Sequence, residues 1–530
     1  MSAAGCYTDT GNIGHMILGR GYKAVADSML LLLSSFLSPA VPTHLLLVGL
    51  LLVALYVGLN PKRSKHPPGP CVLPLIGNLL DMPMSDEWVQ YRKWSEEFKS
   101  DVIYLNVLGT QIIVTNTLES TLDLLEKRSS KYSGGMGWSW ALSLMPYGDE
   151  WCAHRRLAVR GFDAQVIPKF NLAFTGNAHG LLCRLLESPE AWHKHVCHQV
   201  GAMIIEVTYG LDVLPKDDPF IESADKGITT VTLVLLPGAF LVNMVPILKQ
   251  LPSWFPGAGF KRKAKEWKQY ADTTLEAPFK ALKEKIICCS HGFPRANCVA
   301  KPSFTQRSLQ DMDPNIDTAD QERVIKNTAA MMYYPAVQQC VQAELDTVLG
   351  PGRLRTFDDM PSLPYLSAIT KECHHWEVVL PLSVPHMLTA DDDYRGWLLP
   401  SGTLILPNLW VILNDPTVYS NPSVFNPEHF LKDGKIDPGV QDPQLAVFGY
   451  GRRICPVRRI ANSFTWLSAG CILASFNLEN LVASDGMPIE LKVKYCSSMI
   501  RHPETFECAF TPRSEYMRYY WVCQRIDGRH

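Results

Sequence analysis

Hydrophobic and polar positions change their period several times along this chain. No charge occurs between Asp27 and Lys62, and residues 41–59 read V-P-T-H-L-L-L-V-G-L-L-L-V-A-L-Y-V-G-L. As a helix that run is long enough to cross the hydrocarbon core of a bilayer, so residues 41–60 are expected to be a transmembrane anchor. Lys62, Arg63 and Lys65 follow at once, and positive charge on that flank places it in the cytosol. A cleaved signal peptide is the competing reading. The late start of the run, its length and the lack of a small-residue cleavage site argue against it. Residues 1–40, with Met29-Leu30-Leu31-Leu32-Leu33, form a leader that is either a second membrane-contacting segment or a consequence of where translation is taken to start.

Residues 61–76 are rich in proline, which fixes φ and removes donors, and predict a stiff extended hinge. Alternation from Val102 to Val114 with Gly109 between its halves predicts a hairpin. Thr117 to Lys127 carries a leucine stripe at helical spacing. Helical patterns dominate the middle of the chain, and short strands return around Leu398 to Leu406. The expected architecture is mostly α with small β-sheets, in one body over residues 77–512, followed by a tail over 513–530. Leu233 to Phe260 is apolar but broken by Pro237, Pro246, Pro252 and Pro256, ahead of Lys261-Arg262-Lys263-Ala264-Lys265. It reads as a substrate-access lid dipping into lipid, or as a solvated charge run beside a core segment.

Length and composition then narrow the class. With 530 residues, 47% hydrophobic and 19% charged, the chain can bury a large core. The net charge of −2 gives no field for nucleic acid, so that partner is excluded. The 15 cysteines are odd in number and include no C-x-x-C pair, which points to a reducing, cytosol-facing compartment. His193, His195, Cys197 and His198 imitate metal-ligand spacing on a helix, with a polar helix surface as the plainer reading.

The chemistry concentrates at Phe448-Gly449-Tyr450-Gly451-Arg452-Arg453-Ile454-Cys455-Pro456. Gly449 and Gly451 permit a tight turn, and the helix that follows aims free N–H groups at Cys455, favouring an ionised sulfur. This run resembles the haem-binding signature of the cytochrome P450 family, F-x-x-G-x-R-x-C-x-G, at Phe448, Gly451, Arg453 and Cys455, with Val457 where the family has glycine. Trp151 and Arg155 resemble the family's W-x-x-x-R, and Val384-Pro385-His386 its strand after the E-x-x-R helix. The P-P-G-P hinge is similar to that of microsomal members, and its continuation D-M-P to fungal ones.

The resemblance spans roughly Pro67 to Pro512 and implies the cytochrome P450 fold and haem b, with Cys455 as axial iron ligand. It further implies Arg453, Trp151, Arg155 and His386 toward the propionates, and electrons from NADPH-cytochrome P450 reductase. The expected activity is insertion of one oxygen atom from O2 into a small apolar or aromatic secondary metabolite of terpenoid, polyketide or indole type. The expected location is the endoplasmic reticulum membrane, single-pass, with the body facing the cytosol and in contact with lipid.

Several family features are altered. Glu372 is followed by His375 where E-x-x-R has arginine, and His429 stands for the arginine of P-E-R-F. The family locks this region with a Glu-Arg-Arg cluster, so Glu372, His375 and His429 are structural candidates whose carboxylate is less well compensated. Helical turns that carry the family's oxygen-activating acid and alcohol are missing between Ala330 and Tyr333, so no catalytic residue is identifiable. The segment between Tyr132 and Trp138 is short. A second reading follows: a haem-binding pseudoenzyme, or a chain translated from mis-joined exons.

Overall fold

The computed structural model describes residues 66–134, 142–235, 250–254, 258–290, 356–479, 499–501 and 509–513, except 75 and 84, with isolated positions 242, 303–305, 308, 344 and 495. The leader, the anchor, most of the apolar stretch after residue 235, the interrupted helix around Ala330 and the tail after residue 513 lie outside them. Among the described residues no helix is long and apolar enough to cross a membrane.

In chain order the elements are α1 (Glu87–Glu97), β1 (Val102–Val107), β2 (Thr110–Thr115), α2 (Leu118–Leu122), α3 (Asp149–Gly161), α4 (Asn171–Glu187), α5 (Trp192–Tyr209), α6 (Pro219–Leu235) and α7 (Gly259–Ser290). They continue with α8 (Pro364–His375), β3 (His386–Met387), β4 (Asp392–Tyr394), β5 (Trp397–Leu399), β6 (Leu404–Pro407), α9 (Leu409–Leu413), β7 (Leu431–Lys432), β8 (Lys435–Ile436), α10 (Gln444–Val447), α11 (Arg458–Ser475), β9 (Phe476–Glu479) and β10 (Ala509–Pro512). Local chemistry explains several boundaries. Thr117 accepts the Ser120 N–H at the start of α2, and Pro364 opens α8 at a position with no need of a donor. Gly210 ends α5 at φ 68°, a left-handed conformation that costs glycine little.

The expected hairpin is present as β1–β2, and it becomes half of a four-stranded sheet in the order β1-β2-β6-β3. The β6 strand arrives almost three hundred residues later and pairs parallel to β2, with Ile113 opposite Ile405. On β6's other side β3 is antiparallel, with His386 opposite Ile405. The predicted helix after Thr117 is divided: α2 runs into a π-helical turn over Asp123–Lys127. The hinge is not a free spacer. Pro68 accepts the Tyr104 N–H at 3.0 Å, and His66 stacks on Tyr104 with ring centroids 4.3 Å apart. The basic run Lys261 to Lys265 forms the first turns of α7, and Trp254 before it is 78% exposed.

The main core lies where α3, α4, α5, α8 and α11 meet, around Phe162, Phe174, Leu182, Ile204, Leu366, Ile369, Trp466 and Leu467. Side chains of this size contribute about 1.5–3 kcal/mol each on burial, far more than helix propensity supplies, so packing fixes these helices. A second core fills the space between the sheet and α8, with Ile113, Leu125, Ala368, Ile405 and Phe430. Both cores use α8, which places the cysteine loop between them.

Candidate haem-thiolate site

The loop before α11 is built by two bonds and two glycines. The Cys455 N–H donates to the Phe448 carbonyl at 2.7 Å, closing the turn. Gly449 has φ 74° and Gly451 φ 51°, both left-handed. At Gly451 space is as strict as torsion, since a Cβ would sit 2.3 Å from the Leu125 carbonyl oxygen. The Gly451 N–H donates to the Glu126 carboxylate at 2.6 Å, so the loop is docked on the π-helical turn. Val457, where the family has glycine, caps α11 at φ −100° and is packed against the main core. That torsion suits any L-residue, and the β-carbon imposes no backbone strain there.

Around the sulfur the backbone N–H groups of Val457 and Arg458 and the guanidinium groups of Arg155 and Arg458 all favour the thiolate. Burial opposes them and prevails, pushing the Cys455 thiol above its ordinary value. The N–H groups and cations expected to favour the ionised sulfur are in place, and desolvation works against them. A metal ion at this sulfur takes the thiolate form, which this cradle is set to compensate.

The residues expected near the propionates converge on the same side of the loop. Arg453 donates to the carbonyls of Ser133 at 2.9 and 2.5 Å, Leu142 at 2.9 Å and Met145 at 2.7 Å. Its guanidinium carbon lies 5.0 Å from the centre of the Trp151 ring. Burial, with Arg155 adding, pushes Arg453 down to about 10. Trp151 donates to the Leu142 carbonyl at 3.1 Å, and Arg155 donates to the Ile454 carbonyl. His386 faces the Tyr132 carbonyl through Nδ1 at 3.0 Å. In this arrangement Arg453 and Trp151 bind main-chain oxygens of the short segment that follows Tyr132, and Arg155 one in the cysteine loop. Arg155 and Arg458 at the thiol and Arg453 beside Trp151 nonetheless fit the charge of a porphyrin with two carboxylates and a thiolate ligand, since a carboxylate outcompetes a neutral carbonyl for arginine.

The segment reaching this site is pinned by Asp392. It accepts from Arg128 at 2.6 Å, Lys131 at 2.5 Å and the Tyr132 hydroxyl at 3.0 Å. Burial alone would raise its carboxyl, and these three bonds overcome it, holding Asp392 below its usual range. Gly134 and Met387 exchange N–H···O bonds at 2.9 and 3.1 Å, which joins the segment to β3.

His386 carries a pH consequence. Burial first, then Arg453, lowers it to about 4 despite the bond to Tyr132. The unfolded chain takes up this proton below about pH 6.5, and the folded chain only below about 4. Its contribution is fully present above the higher value and is lost as pH falls between the two, by about 3 kcal/mol at most. Urea midpoints of the haem-free chain are expected to fall over this window, and His386→Asn to flatten the fall. An equally steep fall in the variant rejects the assignment.

Glu372, His375 and His429 also meet, although 54 residues separate His375 from His429. Glu372 and His375 lie three apart on α8, and His429 lies on the 3-10 turn Pro427–Phe430. Glu372 accepts the Asn426 N–H at 2.8 Å through Oε1, while its Oε2 lies 3.0 Å from His375 Nδ1 and 3.3 Å from His429 Nδ1. The carboxylate thus has one main-chain donor and two imidazoles within reach but no guanidinium, as the altered motifs led one to expect. The other histidine group does not assemble. Cys197 lies 3.9 Å from His193 Nδ1, but His195 turns to Ser188 and His198 to the Leu214 carbonyl.

Sequence reasoning missed Arg458 and Tyr147. Arg458 flanks the sulfur, and Tyr147 lies under the Arg452 guanidinium, 5.1 Å from its carbon. For Arg458 a signal exists: two arginines in the first turn of α11 oppose the helix dipole, which needs a local reason. The interrupted segment near Ala330 lies outside the described residues.

Fold, loop and thiol together define a haem-thiolate protein. The family model for cytochrome P450 matches residues 328–508. The chain is similar to tryptamine 4-monooxygenase of Psilocybe cyanescens, 41% identical over 86% of this chain and 94% of the relative. It is also similar to cytochrome P450 monooxygenase 98 of Postia placenta, 36% identical over 89% of this chain and 95% of the relative. The chain belongs to the cytochrome P450 family, and haem b is the cofactor that family uses.

Proposed function

We propose that this chain is a membrane-anchored monooxygenase that inserts one oxygen atom from O2 into an aromatic, indole-type secondary metabolite. Its electrons come from NADPH-cytochrome P450 reductase, and its body faces the cytosol from the endoplasmic reticulum membrane. The observation that carries the reading is the Cys455 sulfur, half-buried and ringed by two N–H groups and two guanidiniums. The indole class is supported by the similarity to a protein named for tryptamine. The anchor is supported by the uncharged run of residues 41–59 and the Lys62, Arg63 and Lys65 flank.

When bound, the haem supplies activation of O2, helped by electron release from the axial thiolate. The chain's own part is to hold that sulfur among the N–H groups of Val457 and Arg458 and to present Arg453, Arg155, Trp151 and His386 to the propionates. Phe448 and Gly451 keep the loop in shape. A second reading, a haem-binding protein without turnover, is favoured by one observation: the shortened stretch after Ala330 holds no acid and alcohol pair for proton delivery.

Microsomes containing the chain and a reductase, given tryptamine and NADPH, are expected to form a hydroxylated product. A thiolate-type spectrum of the reduced carbon monoxide complex without any product, from tryptamine or other indoles, selects the second reading. Absence of that spectrum rejects both.

A further inference from the structure

We propose that Glu372, His375 and His429 form a binding site for a zinc-type divalent metal ion, which ties α8 to the Pro427–Phe430 turn. The family's two arginines are replaced here by the two side chains that zinc binds most readily after cysteine. The ligand atoms of all three residues lie within 4.8 Å of one another. Glu372 and His375 are fully buried, and the His429 side chain is 4% exposed.

The hydrogen bonds themselves call for a cation. His429 Nε2 lies 2.5 Å from the Ser420 carbonyl oxygen, which can only accept. That nitrogen therefore bears the hydrogen, and a neutral ring leaves its Nδ1 lone pair facing Glu372 Oε2 at 3.3 Å. Two lone pairs in that position repel unless a positive charge lies between them. A proton could supply it, but a proton makes no use of the second imidazole. His375 Nδ1 converges on the same oxygen at 3.0 Å. Zinc bonds of roughly 2.0–2.1 Å in a tetrahedron require ligand edges of about 3.3 Å; the two edges to Glu372 are 3.0 and 3.3 Å and the third lies within 4.8 Å, so side-chain rotation brings the set to an ion.

The surroundings are those of a metal site. The Ser420 carbonyl fixes the His429 tautomer, and the Asn426 N–H holds the other oxygen of Glu372. A cavity of about 390 Å³, lined by Thr417, Ser420, Asn426, Glu428 and His429, opens beside the cluster. It offers a path inward and a water for the fourth position. The ring of His375 packs on Tyr419 with centroids 4.2 Å apart, which closes the inner side. Two imidazoles and one carboxylate leave the bound ion with net positive charge, as the lost arginines did.

The test uses the full chain, stripped with a chelator and dialysed against zinc chloride, with metal content and thermal unfolding as readouts. The expected result is one zinc per chain and a higher Tm with zinc. Both should be lost in the His375→Arg/His429→Arg double variant, which restores the family's side chains, and in His429→Gln. Cys455→Ser and Cys197→Ser should keep them. Cobalt(II) in place of zinc should show visible bands without sulfur-to-metal charge transfer. No uptake by the unaltered chain, uptake retained in the double variant and in His429→Gln, or uptake lost with either cysteine overturns the proposal.

Discussion

Cys455→Ser is expected to give a folded chain that, loaded with hemin, reduced and exposed to carbon monoxide, shows none of the thiolate-type absorption of the unaltered protein. The loss should be complete rather than graded. A serine hydroxyl can still accept the N–H groups of Val457 and Arg458 that surround the sulfur, so the turn and α11 keep their bonds. It does not ionise near neutral pH, and the electron release that marks a thiolate ligand disappears with the sulfur. Far-ultraviolet dichroism separates this result from unfolding. An unchanged reduced carbon monoxide spectrum in Cys455→Ser would remove the basis of the functional reading, whatever the family.

Glu372→Ala should produce the largest loss of stability of any single change at the contact between α8 and the Pro427–Phe430 turn. The carboxylate is fully buried and takes the Asn426 N–H at 2.8 Å together with the approaches of His375 and His429. Alanine leaves that N–H without its acceptor and removes the group on which two imidazoles converge. Leaving a buried donor without its acceptor costs about 1–3 kcal/mol, and both the Asn426 amide and an imidazole lose theirs here. Urea unfolding is the measurement, in chelator so that metal linkage does not enter. A loss under about 1 kcal/mol would mean that the three residues merely lie near one another.

Some of this was readable in the order of residues. Alternation from Val102 to Val114 specified the hairpin, because a two-residue period leaves one pairing that buries the right face. The cysteine loop was readable because its glycines are demanded by local torsion and by the approach of Leu125, and such demands leave a mark in sequence. The partners of Arg453 were not readable. They are main-chain carbonyls of Ser133, Leu142 and Met145, and every residue has a carbonyl.

The desolvation of Cys455 was not readable for a related reason. N–H groups and arginines near the sulfur can be placed from sequence, but the burial that outweighs them depends on how two cores close around the loop. The altered arginines show the same limit. Sequence identified His375 and His429 as departures from the family pattern, yet it treated them as two weakened contacts.

What the sequence determined by itself, then, is the resemblance to the family, carried by motifs such as the cysteine loop, together with the hairpin and the uncharged run ahead of the body, which rest on periodicity and spacing. Only the tertiary structure decided that β6 lies parallel to β2, that burial raises the Cys455 thiol against the N–H groups and guanidiniums around it, and that both Nδ1 atoms face one oxygen of Glu372. These depend on groups brought together from distant positions, where the free energy of burial and of paired charges belongs to the assembled core and to no single stretch of chain.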